Sequence, residues 1–163
     1  MDIFTLAIGD HAYGFAALCN SLCAAGFEGR IHVGYQREIR CEIAAGAPVV
    51  LHELPDDGRR PMNRKPAFLL DHAAGAFLYL DADIIVTNGA ILDALSDAVS
   101  MGPVFCAEGI VPERDIRRVM WRQAKTACLE ADPGSSTAAV RFTSIYFNSG
   151  LVCGDMRRDR RLV

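Results

Sequence analysis

The chain has 163 residues, 51% of them apolar and 23% charged, so it can bury a core and is not a disordered polymer. A net charge of −3 excludes a general nucleic-acid binder, because neutralising phosphates needs a clustered basic surface. The one basic cluster, Arg157, Arg158, Arg160 and Arg161, reads as a solvated terminal turn.

Ile3 to Ile8 is a short apolar run ended by Gly9-Asp10 and predicts a buried first strand. It is strand-length, with no basic region before it, so no secretory signal is expected. Ala12 to Ala25 carries apolar residues at Phe15, Leu18, Cys19 and Leu22, the spacing of one helix face, and Gly26 supplies a stop. Ile31 to Tyr35 predicts a second strand, Arg37 to Ala45 a helix stopped by Gly46, and Pro48 to Leu51 a third strand. Pro55 to Pro66 reads as loop, with Pro66 in the first turn of a helix running to about Ala74. Gly75 ends that helix, and Ala76 to Leu80 is a second clear buried strand.

Asn88-Gly89 predicts a turn, Ile91 to Val99 a short helix, and Pro103 to Ala107 a strand. Pro112 to Leu129 is the best helical pattern: Pro112 fits the first turn, Glu113 and Asp115 suit the positive dipole end, and Ile116, Val119, Met120 and Ala127 share a face. After a polar link, Ser144 to Phe147 and Leu151 to Cys153 read as two strand segments joined by Asn148-Ser149-Gly150. Alternating strands and helices predict one α/β domain with a mostly parallel sheet, whose ligands sit at the carboxyl ends of its strands. No stretch reaches the ~20 apolar residues of a membrane span. Six cysteines without a Cys-x-x-Cys pair read as small buried thiols in a reducing, cytoplasmic setting.

Chemistry concentrates where Phe77-Leu78-Tyr79-Leu80 runs into Asp81-Ala82-Asp83. Two carboxylates at a strand end do not stay buried and unpaired cheaply. If the chain stays extended they point the same way and can share one hard cation with a diphosphate. Three readings compete: a nucleotide-sugar site, a haloacid-dehalogenase-type phosphatase, and a Walker B carboxylate. The last lacks any Gly-x-x-x-x-Gly-Lys-Ser/Thr loop. The phosphatase reading fits poorly with a strand in mid-chain and no later acidic pair at a strand end.

Three ordered segments resemble the GT-A glycosyltransferases, in particular family 8, the group of glycogenin and the lipopolysaccharide glycosyltransferases. They are Phe4-Thr5-Leu6-Ala7 with Asp10 and Tyr13, then Lys65-Pro66 to Leu69 with Phe77 to Val86, then Tyr146-Phe147-Asn148-Ser149-Gly150. The resemblance implies a Rossmann-like GT-A nucleotide-diphospho-sugar transferase fold. It implies a UDP-sugar donor, an unknown glycan, lipid-linked or protein acceptor, and Mn2+ or Mg2+. Thr5, Leu6 and Ala7 would line the uracil pocket with backbone groups, and Asp10 and Tyr13 would touch base or ribose. Lys65 would reach the phosphate or sugar, Asp81 ribose and metal, and Asp83 the metal. Asn148, with Ser149 and Gly150, would hold the transferred sugar. Catalysis would rest on Asp83, Asn148 and Lys65, with retention at the anomeric carbon.

The family's third metal ligand, a histidine in a His-x-x-Gly-x-x-Lys-Pro-like segment beyond the Asn-Ser-Gly element, has no counterpart here. His11, His32, His52 and His72 all stand in other contexts and read as structural or surface residues. The chain is therefore expected to lack the family's C-terminal segment and to recognise a donor more readily than turn it over. A non-catalytic nucleotide-sugar-binding module is the alternative.

Overall fold

A computed structural model describes residues 1–9, 12–36, 46–110, 119, 122–123, 126–127, 129–130, 133 and 145–162. Residues Met1–Phe105 with Ser149–Val163 form one compact unit, and Cys106–Asn148 form a second.

Six strands are described: β1 (Asp2–Ala7), β2 (Ile31–Tyr35), β3 (Val49–Glu53), β4 (Ala76–Leu80), β5 (Val104–Ile110) and β6 (Ile145–Asp155). They form one sheet in the order β3-β2-β1-β4-β6-β5. The β1–β2, β2–β3 and β1–β4 pairs are parallel, and β6 runs antiparallel to β4. The expected α/β architecture with a mostly parallel sheet is therefore observed. Helices α1 (Ala12–Ala24), α2 (Pro61–His72), α3 (Ala90–Met101) and the single turn α4 (Met156–Asp159) accompany the sheet.

Alternation along the strands produces two cores. Ile3 and Ala7 of β1, with Leu78 and Leu80 of β4, pack with Phe15, Leu18 and Leu22 of α1 and with Leu92, Leu95 and Val99 of α3. Phe4 and Leu6 of β1, with Phe77 and Tyr79 of β4, pack with Phe68 and Leu69 of α2 and Met156 of α4. Helix α1 ends as its glycine predicts. Gly26 has φ 78°. Its N–H bonds to the Cys23 carbonyl and that of Phe27 to the Leu22 carbonyl, both at 3.0 Å, a Schellman closure.

Two boundaries differ from expectation. Helix α2 begins at Pro61, so Pro66 lies inside it rather than in its first turn. An interior proline removes a helical hydrogen bond and costs roughly 3 kcal/mol. Buried Arg64 offsets this by donating to the carbonyls of Arg59 (3.1 Å) and Pro55 (2.8 Å) and to the Asp57 carboxylate, which ties the preceding loop to the helix. The second difference is β6, a continuous strand instead of two segments around a turn. Its ladder with β4 runs from Asp155 to Leu151, and the Gly150 carbonyl accepts the Asp81 N–H at 2.8 Å.

The expected Arg37–Ala45 helix lies outside the described residues. So does most of Pro112–Leu129, although Val119, Arg122, Gln123, Thr126, Ala127 and Leu129 are helical. Cys19 and Cys153 are buried as expected, but Cys106 is exposed; all four described cysteines are free thiols. The terminal arginines are only partly a solvated turn. Arg158 pairs with buried Asp159 at 2.6 Å and donates to the Val99 carbonyl at 2.9 Å, closing the C-terminal end of α3.

His32, His52 and His72 assemble beneath α2. The His32 and His52 rings stack at 5.1 Å with Nδ1 of one 2.9 Å from Nε2 of the other, and His72 lies 4.1 Å from His52. Phe4 stacks on His32 at 4.6 Å and His32 is buried, while His52 is half-buried and His72 exposed, so the cluster runs from the core to the surface.

Candidate functional site

Strand β4 is buried almost throughout, which fixes where its continuation emerges. Tyr79 faces α2, and Asp81, two residues on, follows it on that face. The chain then turns: the Ile84 N–H bonds to the Asp81 carbonyl at 3.1 Å. Extended backbone therefore does not persist through Asp83, and the two carboxylates are arranged by a turn rather than by strand alternation. Asp83 is exposed and Asp81 is about one-third exposed (33%).

Two side chains converge on the Asp81 carboxylate. Lys65 of α2 brings its Nζ to 2.6 Å from Oδ1. The same ammonium lies 5.1 Å from the Tyr79 ring centroid, within cation–π range. The Tyr79 hydroxyl hydrogen-bonds to Asp81, and the Leu6 backbone amide hydrogen-bonds to that hydroxyl. Burial, reinforced by the Asp81 charge, pushes the Tyr79 phenol far above its ordinary range, so it stays a donor at every working pH. Both partners are half-buried, with water still reaching Asp81, so the pair's main consequence is aim rather than stability.

The first turn of α1 meets the Asp81–Asp83 turn from the other side. A Cβ on Gly14 would lie 2.6 Å from the Ala82 carbonyl oxygen and 3.1 Å from the Asp83 Cα. Only a glycine lets helix and turn approach this closely. Tyr13, beside it, is 80% exposed, so packing does not account for its ring. Further along the same sheet edge, a cleft of about 840 Å³ is lined by Ile8, Gly9, Gln36, Glu53, Leu54, Pro55 and Asp56. Its floor is close-packed, since a Cβ on Gly34 would strike Leu6 at 2.6 Å and Leu54 at 2.9 Å. Gln36 donates to the Pro55 carbonyl at 2.8 Å and braces one wall.

Of the residues expected in the site, Lys65 and Asp81 are brought into contact, Asp83 follows Asp81 in the turn, and Tyr13 neighbours Gly14, which abuts Ala82 and Asp83. Thr5, Leu6 and Ala7 have buried side chains. The Thr5 hydroxyl is fully buried with no hydrogen-bond partner. Gly150 is buried and touches the site through its carbonyl. Asp10 lies outside the described residues, as do the side chains of Asn148 and Ser149, whose backbone belongs to β6. Tyr79 and Gly14 were missed by sequence reasoning. Tyr79 had a signal, its position two residues before Asp81 on a strand; Gly14, within a helical pattern, had only its unfavourable helix propensity.

No protein-family model and no curated protein matches the chain. Solved structures do. The chain is similar to the galactosyltransferase LgtC in complex with donor and acceptor sugar analogues, with a TM-score of 0.62 and 17% identity. An active-site mutant of LgtC matches with a TM-score of 0.53, again at 17% identity. In these alignments 99% of this chain is covered, and it spans 60% and 59% of the LgtC chains. The fold is the GT-A glycosyltransferase fold of LgtC.

Proposed function

We propose that this chain is the donor-binding part of a metal-dependent glycosyltransferase, and that it takes a UDP-sugar. The observation carrying this reading is the group of Lys65, Asp81 and Asp83 at the carboxyl end of β4, in a sheet with the fold of LgtC. The Mn2+ or Mg2+ expected from the sequence fits these residues. Both candidate ligands are carboxylates, with Asp83 exposed and Asp81 partly so. Among the described residues no third carboxylate, histidine or cysteine joins them. Diphosphate oxygens and water would complete the shell of a hard cation.

When bound, the cation would neutralise charge building on the departing diphosphate. The chain's own residues bind and orient. Lys65 offers a compact positive charge to a phosphate oxygen. Tyr79 holds the Asp81 carboxylate by hydrogen bond, and exposed Tyr13 offers an aromatic face to base or ribose. Asn148, Ser149 and Gly150 would hold the transferred sugar, with Asp83, Asn148 and Lys65 as the groups acting on the reaction. The acceptor would be a glycan, lipid-linked sugar or protein, and transfer would proceed with retention. Among the described residues no helix is long and apolar enough to cross a membrane. The free thiols accord with a cytoplasmic location.

A second reading is binding without turnover; the chain spans about 60% of the LgtC chain it matches. The phosphatase alternative draws no support from the fold.

The test is thermal melting with Mn2+ and UDP. A ligand specific to the folded state stabilises it by about 2.7 kcal/mol at a hundredfold excess over Kd. A rise of several degrees is expected for the wild type and none for Asp83→Ala. Absence of any shift with nucleoside diphosphates would overturn the proposal.

A further inference from the structure

The geometry points to Lys65 as a place-holder for the cation: with no donor bound, its ammonium occupies Asp81, and the metal gains full use of that carboxylate only with a diphosphate that draws Lys65 away. This rests on the donor-site reading above and adds an order of events to it.

Nζ of Lys65 sits 2.6 Å from Asp81 Oδ1, where a divalent cation bound to that oxygen would compete with it. Two positive centres on one carboxylate oxygen repel each other strongly in a partly desolvated site. Lys65 is only 18% exposed, so water screens that repulsion incompletely. Its long stem rises from α2, whereas Asp81 is pinned by its own N–H to the Gly150 carbonyl and by the Tyr79 hydroxyl. The mobile partner of the pair is therefore the lysine. A diphosphate carries the charge that can take the ammonium off Asp81 and bring the metal in its place. Cation and nucleotide then bind cooperatively, and Lys65 is one source of the coupling.

The experiment measures Mn2+ binding by electron paramagnetic resonance of the free ion, with and without UDP, for wild type, Lys65→Met and Tyr79→Phe. Lys65→Met removes the charge and keeps much of the stem. It is expected to bind Mn2+ alone on the order of tenfold more tightly than wild type and to show a smaller gain in Mn2+ affinity on adding UDP. Tyr79→Phe loosens Asp81 without removing a positive charge, so its Mn2+ affinity without UDP should be unchanged or weaker. Equal or weaker Mn2+ binding by Lys65→Met, with Mn2+ and UDP still binding the wild type, overturns the inference alone. Equal tightening in both variants overturns it too, because loosening rather than charge would be the cause. If the wild type binds neither Mn2+ nor UDP, the donor-site reading fails and this inference with it. Should Lys65→Met not fold, the wild type still decides: Mn2+ affinity that UDP does not raise overturns the place-holder.

Discussion

A Cβ at position 14 would stand 2.6 Å from a backbone oxygen, and backbone cannot swing aside as a flexible side chain can. Gly14→Ala therefore pushes α1 away from the Asp81–Asp83 turn. The expected cost is about 1–3 kcal/mol, the usual range for overpacking. Urea unfolding should report that loss, and the same variant should weaken Mn2+ and UDP binding in calorimetry. An alanine variant as stable and as tight as the wild type would show that the contact is not made. Arg64 is a second residue whose surroundings set its effect. It is 5% exposed and donates to two backbone carbonyls of the loop that carries Pro55 and Asp56 into the cleft. Arg64→Met should lower unfolding free energy by about 1.5–3 kcal/mol, the range for hydrogen bonds to charged groups.

At the scale of elements, the histidines of β2, β3 and the end of α2 make the sheet's α2 face sensitive to acid. His32 meets Asp2 of β1, Arg30 before β2, His52 of β3 and His72 of α2. Burial holds its imidazole below the ordinary value of 6.5 against the pull of the Asp2 carboxylate, with Arg30 and His72 adding to the lowering. His52 is lowered chiefly by burial and next by His72 and His32. Both groups bind protons more readily in the unfolded chain. Their contribution to stability is complete above about pH 6.5 and is lost as pH falls from there through the lower folded-state values. Urea midpoints should therefore drop between pH 7.5 and 5.5, before most carboxylates titrate; a flat profile would contradict the cluster. The boundaries of α2 and β6 belong to this scale as well. Pro66 read as a helix start because a proline's missing N–H is harmless there, yet Pro61 holds that place and Arg64 anchors the extended first turns. Asn148-Ser149-Gly150 read as a turn from its composition, but β6 runs unbroken from Ile145 to Asp155, past the end of its ladder with β4 at Leu151.

For the whole molecule, the prediction concerns turnover. On the proposed reading of binding without turnover, the chain should bind a UDP-sugar with Mn2+ and hydrolyse or transfer it far more slowly than ordinary enzymes, below roughly 1 s⁻¹. Parallel calorimetry and donor-consumption assays would separate binding from turnover, and rates in the usual enzymatic range would overturn that reading. Much of this molecule is written locally. The buried β4 run, its Asp-Ala-Asp continuation, the first strand and the Gly26 stop depend on neighbouring residues, so apolar pattern and glycine chemistry revealed them without coordinates. Other features join residues far apart in the chain: Lys65 on Asp81, Gly14 under the Ala82 carbonyl, the ring contacts of His32, His52 and His72, and Gly150 bonded to Asp81. Local pattern carries no trace of such partners, because they meet only when the sheet order sets β1 beside β4 and β4 beside β6. The sequence by itself thus determined which carboxylates stand at the strand end, while the tertiary structure decided what holds them, since packing between distant elements chooses the partners.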